Sequence, residues 1–430
     1  PFEKFAIVEN FFPTGYGFPS YTLLGSAVIR LPFIVETSLG HEIAHCWWGN
    51  GVLVDGREGN WCEGLTTYLS DHLYTEWRSP EAAADYRRQI LRNYAAVVNP
   101  ETDFAVRNFT HRIDSVTKVI GYDKAAMLFH MLRRKVGEAA FWGSLRGLYG
   151  ERKFMKTSWT DLRKAFEQRS GLSLSGFFEQ WVNRPGGPLI SLEQVDRVRT
   201  DSGWRVSGAV VQKEPIFDME LTILVSTNGA PISRSVAISG SCTRFSIDCP
   251  TEPRKIQVEP DAHLFRRLWP KEMPPAVNSL KGAAEVTVVL AGDPFREKTD
   301  AARLLAESLG LKRFRTVFEA EAGSLLSQNT DLLVVGYPKR RELLSGLPAS
   351  VAAEAGAFVL NGTAYREPSD VFFGVFAHPT ASGRVMGWFH PLSFASWQTA
   401  ARKVTHYGRY SYLAFRNGQN LEKGIWPVEI

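Results

Sequence analysis

His41 and His45, four residues apart and with Glu42 directly after the first, have a spacing that implies chemistry. On a helix, positions i and i+4 share one face about a turn apart, so both imidazoles can reach a single cation. Glu42 then sits roughly 100° around the axis from His41, where it can act on a water beside that cation without binding it. A catalytic zinc takes three protein donors and keeps a fourth position open. Downstream, Asn60-Trp61-Cys62-Glu63-Gly64-Leu65 opens a second helix, preceded by the turn residues Asp55-Gly56-Arg57-Glu58-Gly59. A helix, a loop and a returning helix can bring Glu63 beside the two histidines. The expected centre is one Zn2+ on His41, His45 and Glu63, with Glu42 as acid/base, a constellation suited to hydrolysis by an activated water.

Three kinds of element must position these groups. From Pro1 to Gly187 the chain is aromatic-rich and then strongly helical. Ser79-Pro80-Glu81 predicts a capped helix through about Val98. An apolar stripe at Ala125, Leu128, Leu132 and Val136 predicts a helix over Tyr122–Val136, ended by Gly137. Ser158 with Asp161 caps a helix that Gly171 stops, and Phe177–Val182 forms a last short one before Pro185-Gly186-Gly187. Over 188–268 the rhythm shifts to short alternating runs, Trp204–Val210, Leu221–Val225, Ser235–Ile238 and Lys255–Val258, which predict an antiparallel β-sandwich. Trp269–Ala276, with three prolines, reads as a linker. Over 277–430 a bare apolar strand at Val286–Leu290, a helix at Thr299–Leu309 and strands near Arg315–Phe318 and Asp331–Val335 predict a small parallel α/β domain of unassigned role. The fold class is therefore multidomain.

The run His-Glu-Ile-Ala-His-Cys-Trp-Trp-Gly-Asn from His41, followed by Trp61-Cys62-Glu63-Gly64-Leu65, resembles the gluzincin zinc peptidases of the aminopeptidase N type. Gly121-Tyr122-Asp123-Lys124-Ala125-Ala126 is similar to the family's helix bearing a catalytic tyrosine, and Phe178-Glu179-Gln180-Trp181-Val182 to the close of its helical domain. The resemblance covers about residues 1 to 265. It implies a mainly helical zincin-like catalytic domain followed by a β-sandwich, with aminopeptidase-like hydrolysis of peptide or protein substrates. It also implies that Tyr122 donates its phenol hydrogen to the oxyanion of the tetrahedral intermediate. Pro1-Phe2-Glu3-Lys4 resembles the family's entry into that domain, so a longer precursor with an N-terminal domain is expected, along with a periplasmic or cell-envelope location.

Two departures accompany the resemblance. The seventeen residues Cys46–Cys62 between His45 and Glu63 are one fewer than the family usually has, which the glycine-bearing loop at Gly56 and Gly59 can absorb. Where the family reads a substrate amine with the glutamate of a G-x-M-E-N segment, the matching stretch here is Thr14-Gly15-Tyr16-Gly17-Phe18-Pro19, and Gly17 stands in the glutamate's place. Glu9, in Ala6–Asn10, is the alternative anchor for an amine. Endopeptidase action or hydrolysis of blocked peptides is therefore open, as is a non-catalytic zinc-containing scaffold.

The remaining features are bounded by composition. The 430 residues carry 50 Lys plus Arg against 45 Asp plus Glu, without a dense basic block, so nucleic acid is not an expected partner. No run of eighteen uncharged apolar residues predicts a membrane span. Four cysteines do not make a disulfide framework, and Cys46 and Cys62 lie off the ligand faces as buried thiols. Glu36 and Asp71 are candidates to orient a metal-bound histidine. Trp47 and Trp48 are expected to pack the first helix. His72, His111, His130, His263, His378, His390 and His406 lack ligand spacing and read as structural. The turn Gly292-Asp293-Pro294 lacks a phosphate-loop pattern.

Overall fold

The computed structural model describes residues 2–12, 15–31, 34–292, 296–426 and 428. They form two compact units, Pro1–Leu268 and Trp269–Ile430.

The first unit begins with a three-stranded sheet in the order β1 (Ala6–Asn10), β3 (Tyr21–Gly25), β2 (Gly15–Phe18). β1 runs parallel to β3 and β2 antiparallel to it, so β2 is an edge strand. Helix α1 (Ser38–Ala44) follows, and His45 is its C-terminal cap, its N–H donating to the His41 carbonyl at 3.2 Å. Helix α2 (Cys62–Thr67) is anchored by the buried Trp61, whose indole N–H donates to the Thr157 carbonyl at 2.7 Å. It continues through a π-helical turn, Tyr68–His72, into Leu73–Arg78.

The helix Pro80–Val97 starts where the proline signal places it, with the Ser79 hydroxyl accepting from the Ala82 N–H at 3.0 Å. Trp159–Ser170 has the Ser158/Asp161 capping box and a left-handed Gly171. The helix carrying Tyr122 differs from expectation. It begins at Ser115, capped by Asp114, widens into a π-helical turn over Val119–Lys124, and resumes α-geometry over Ala125–Val136. Tyr122 is therefore within a helix rather than at its start. The apolar stripe marks only the regular part, because a wider turn breaks the period that such a stripe reveals.

Six strands complete this unit as two three-stranded antiparallel sheets. Gly203–Lys213 lies between Leu189–Thr200 and Cys242–Cys249; Met219–Thr227 lies between Ile232–Ile238 and Pro253–Val258. Leu189–Thr200 escapes the alternation rule because its register shifts between Glu193 and Asp196, around a left-handed Gln194, and most of its length is exposed. One hydrophobic core runs from Trp61, Leu65 and Phe129 through Trp181 and Val182 to Val206, Phe217 and Ile223. The boundary expected at Gly187 thus falls inside one core, and the helical body and the strands form a single unit.

The second unit is built on a seven-stranded sheet. Phe314–Phe318, Val286–Leu290, Asp331–Val335 and Val385–Pro391 are parallel neighbours in that order. Asp370–Ala377, Tyr412–Arg416 and Gln419–Gly424 extend the sheet antiparallel. The parallel sheet expected here is a mixed one: two hairpins extend it, joined by the pairing of Asp370–Ala377 with Tyr412–Arg416, which lie far apart in sequence. Val277–Lys281, Arg296–Leu309 and Phe394–Val404 pack on one face, and a three-stranded meander from Val351 to Tyr365 packs on the other. Trp269–Ala276, read as a linker, belongs to this unit and ends in a buried Ala276. Asp293 and Pro294 of the expected turn lie outside the described residues.

Candidate metal centre

α1 and α2 bring together the three donors that the spacing selects. Nitrogen and carboxylate ligand atoms of His41, His45 and Glu63 all lie within 4.8 Å of one another. Glu63 Oε2 is 3.3 Å from His41 Nε2 and 3.5 Å from His45 Nε2. Each imidazole is oriented through its other nitrogen: His41 Nδ1 faces Asp71 Oδ2 at 3.3 Å, and His45 Nδ1 faces the Trp48 carbonyl at 3.1 Å. Partners of this kind leave both Nε2 atoms aimed at a common point, the arrangement that orients metal-bound histidines.

Burial alone would lower the His41 pKa, but the hydrogen bonds to Asp71 and Glu63 prevail and raise it to about 10. Burial alone would likewise raise Glu63, and the two histidines outweigh it and hold that carboxyl well below its usual range. Such a cluster holds a proton where a donor set of two imidazoles and a carboxylate suits one divalent cation. The residues present fit zinc.

Asp71 owes its place to the π-helical turn Tyr68–His72, where an extra residue changes the angular register beyond Glu63. Of the two candidates for orienting a histidine, Asp71 takes the part; the Glu36 side chain lies outside the described residues. Tyr122, also on a π-helical turn, stacks on His41 with ring centroids 6.1 Å apart and planes 13° from parallel. Burial, then the Glu63 charge and a hydrogen bond to Glu63, push its phenol pKa far up, so it remains a donor. Gly64 lets the two helices meet: a Cβ there would lie 2.3 Å from the Ala125 Cβ.

Glu42 is buried, and burial foremost raises its pKa against the pull of the two histidines. Its carboxylate lies against β2. A Cβ on Gly15 would stand 2.7 Å from Glu42 Oε1; one on Gly17 would stand 2.9 Å from both Glu42 Oε2 and His45 Cβ. At Gly15 a side chain would have to push the Glu42 carboxylate aside; at Gly17 it would also meet the His45 Cβ, which cannot swing away. The Gly17 carbonyl accepts from the Asn50 side chain at 3.3 Å, which ties β2 to the turn after α1. This packing was not deduced from the sequence, although two glycines on alternate positions of one short strand are its visible mark.

These residues line a cleft of about 1070 Å³, together with Tyr16, Tyr86, His111, Arg112, Ile113, Lys118 and Asp123. Glu9 is not among them; it lies exposed on β1, bound to Arg30 at 2.6 Å. Cys46 and Cys62 are free and buried, and burial pushes both thiols up. Trp48 packs between Trp61 and Tyr149, whereas Trp47 is exposed. His72, His130 and His263 form a separate cluster. His130 Nε2 lies 3.0 Å from His263 Nδ1, and Arg87 Nη1 lies 2.9 Å from His72 Nε2.

An edge strand, two helices and a histidine–histidine–glutamate cluster thus form a candidate centre for one divalent cation. Residues 33–181 match the Peptidase family M1 domain. It is 28% identical over 167 residues to Aminopeptidase M1 of Arabidopsis thaliana, covering 38% of this chain and 19% of that protein. Against Aminopeptidase N of Lactococcus lactis subsp. lactis it is 28% identical over 181 residues, covering 38% and 20%. Probable aminopeptidase 1 of Saccharolobus solfataricus matches at 27% over 172 residues, covering 38% and 22%. The chain thus spans about a fifth of the length of these relatives. Among the described residues no helix is long and apolar enough to cross a membrane.

Proposed function

We propose that the chain is a zinc-dependent peptidase that hydrolyses peptide bonds without requiring a free amine on its substrate. The convergence of His41, His45 and Glu63 within 4.8 Å carries the reading, and the match of residues 33–181 to the Peptidase family M1 domain supports it. One zinc ion on these donors would supply Lewis acidity and lower the pKa of water at its open position. Glu42, with its pKa raised by burial, is matched to take a proton from the attacking water and return it to the leaving amine. Tyr122 keeps its phenol proton and can donate it to the developing oxyanion.

The absence of an amine requirement rests on how the acids of the cleft are used. Glu63 and Asp71 serve the histidines. Asp123 accepts from Asn93 Nδ2 at 2.9 Å and lies 3.9 Å from Lys118 Nζ. Gly17 has no side chain and no space for one, and Glu9 is paired outside the cleft. Aminopeptidase action, as in the names of the relatives, would need one of these acids released.

The test is elemental analysis combined with digestion of one peptide in free and acetylated form. About one zinc per chain and hydrolysis of both forms are expected. Glu42→Gln should retain zinc and lose roughly 10²–10⁴-fold in rate. Strict dependence on the free amine would restore the aminopeptidase reading; a zinc-loaded chain that cleaves neither form would be a scaffold.

A further inference from the structure

The charges left over in the cleft point to a substrate class. Its acids Glu63, Asp71 and Asp123 are engaged within the protein, and Glu42 is pressed against β2. Among its cations, Lys118 faces Asp123, and His111 Nδ1 lies 3.0 Å from the Thr110 hydroxyl. Arg112 is different. It is exposed on the cleft wall, and among the described residues its guanidinium has no hydrogen bond or ion pair. The nearest acid in sequence, Asp114, is turned away to cap the following helix, accepting from the Thr117 N–H and hydroxyl at 2.8 Å each.

β2 flanks the centre at Glu42 and His45, Tyr122 flanks it at His41, and Arg112 lines the same cleft. We propose that Arg112 is a specificity-determining residue that selects peptides carrying a carboxylate beside the scissile bond. The inference rests on the peptidase reading above. A guanidinium presents a planar fork that matches a carboxylate with two parallel hydrogen bonds. One without an internal partner can bind such a group without breaking an existing ion pair. A lysine in the same position would meet like charge.

The experiment uses acetylated peptides that differ at one position, either just before or just after the scissile bond, Glu against Gln against Lys, each with a free or an amidated C-terminus. Preference for Glu over Gln locates the carboxylate on a side chain; preference for the free terminus locates it at the chain end. A roughly tenfold advantage of the acidic form in kcat/KM is expected. Arg112→Gln should bring that ratio close to one, and Arg112→Glu should turn the preference toward Lys; a ratio between substrates is insensitive to a general loss of active protein. Calorimetry with the metal-free chain should show the same order of binding. Equal cleavage of all peptides, or a ratio unchanged in both variants, overturns the inference and leaves the peptidase reading standing. Cleavage of none overturns both.

Discussion

Gly17 offers the sharpest perturbation, because two readings of it lead to opposite results. Replacing it with glutamate would supply the carboxylate that the family's segment carries, and a purely sequence-based argument expects a gain of amine recognition. The packing argues otherwise. A Cβ at Gly17 lies 2.9 Å from Glu42 Oε2 and from His45 Cβ, where ordinary contact begins near 3.4 Å. Even alanine must displace β2 or the two side chains by about 0.5 Å, and a displacement of about 1 Å at a reacting group can cost roughly 10²-fold. Gly17→Ala should therefore lose about tenfold in kcat/KM, and Gly17→Glu more than about a hundredfold, with overpacking lowering stability by about 1–3 kcal/mol. The assay is initial rates on free and acetylated forms of one peptide, with bound zinc and urea unfolding measured on the same samples. A Gly17→Ala variant at parental rate with full zinc would refute the steric argument. An active Gly17→Glu variant that prefers the free amine would refute it more completely.

Asp71→Ala should weaken zinc binding about 10–100-fold, read by competition with a chelating dye, because His41 loses the partner that orients it; unchanged affinity would remove Asp71 from that role. Tyr122→Phe should slow turnover by about 10²–10³-fold at unchanged zinc content, and a parental kcat would exclude the phenol from oxyanion stabilisation. A pH effect on stability follows from His72, which is buried and has its pKa lowered to about 3, first by burial and then by the Arg87 charge. The unfolded chain takes up this proton below its ordinary value of about 6.5, whereas the folded chain does so only near 3. His72 therefore favours folding fully above about pH 6.5 and progressively less as the pH falls toward 3. At pH 5 the loss from His72 alone is about 2 kcal/mol, measurable as a drop in urea midpoint between pH 7 and pH 5 that His72→Gln reduces. Identical midpoints at the two pH values would contradict the neutral burial of His72.

The convergence of His41, His45 and Glu63 is legible because helical geometry is short-range: His41 and His45 lie about one turn apart, and Glu63 needs only a loop and a second helix. Tyr122 entered through resemblance, and its helix was placed too late because the π-helical turn hides its first residues from a periodic stripe. A similar turn places Asp71, so sequence alone could name it only alongside Glu36. The strand Leu189–Thr200 was hidden by its bulge and exposure, and the antiparallel half of the second unit's sheet by pairings between residues far apart in sequence. The packing of Gly17 against Glu42 joins strand and helix through atoms that no local pattern records.

The Trp181 ring lies 4.9 Å from the Phe217 ring and 6.5 Å from the Phe265 ring, with all three residues buried. A gene fragment ending at Gly187 would leave that indole bare and remove two of its neighbours. The smallest portable cassette for the His41–His45–Glu63 cluster is consequently the whole of 1–268, and grafting the helical body onto a foreign partner means carrying the six strands along.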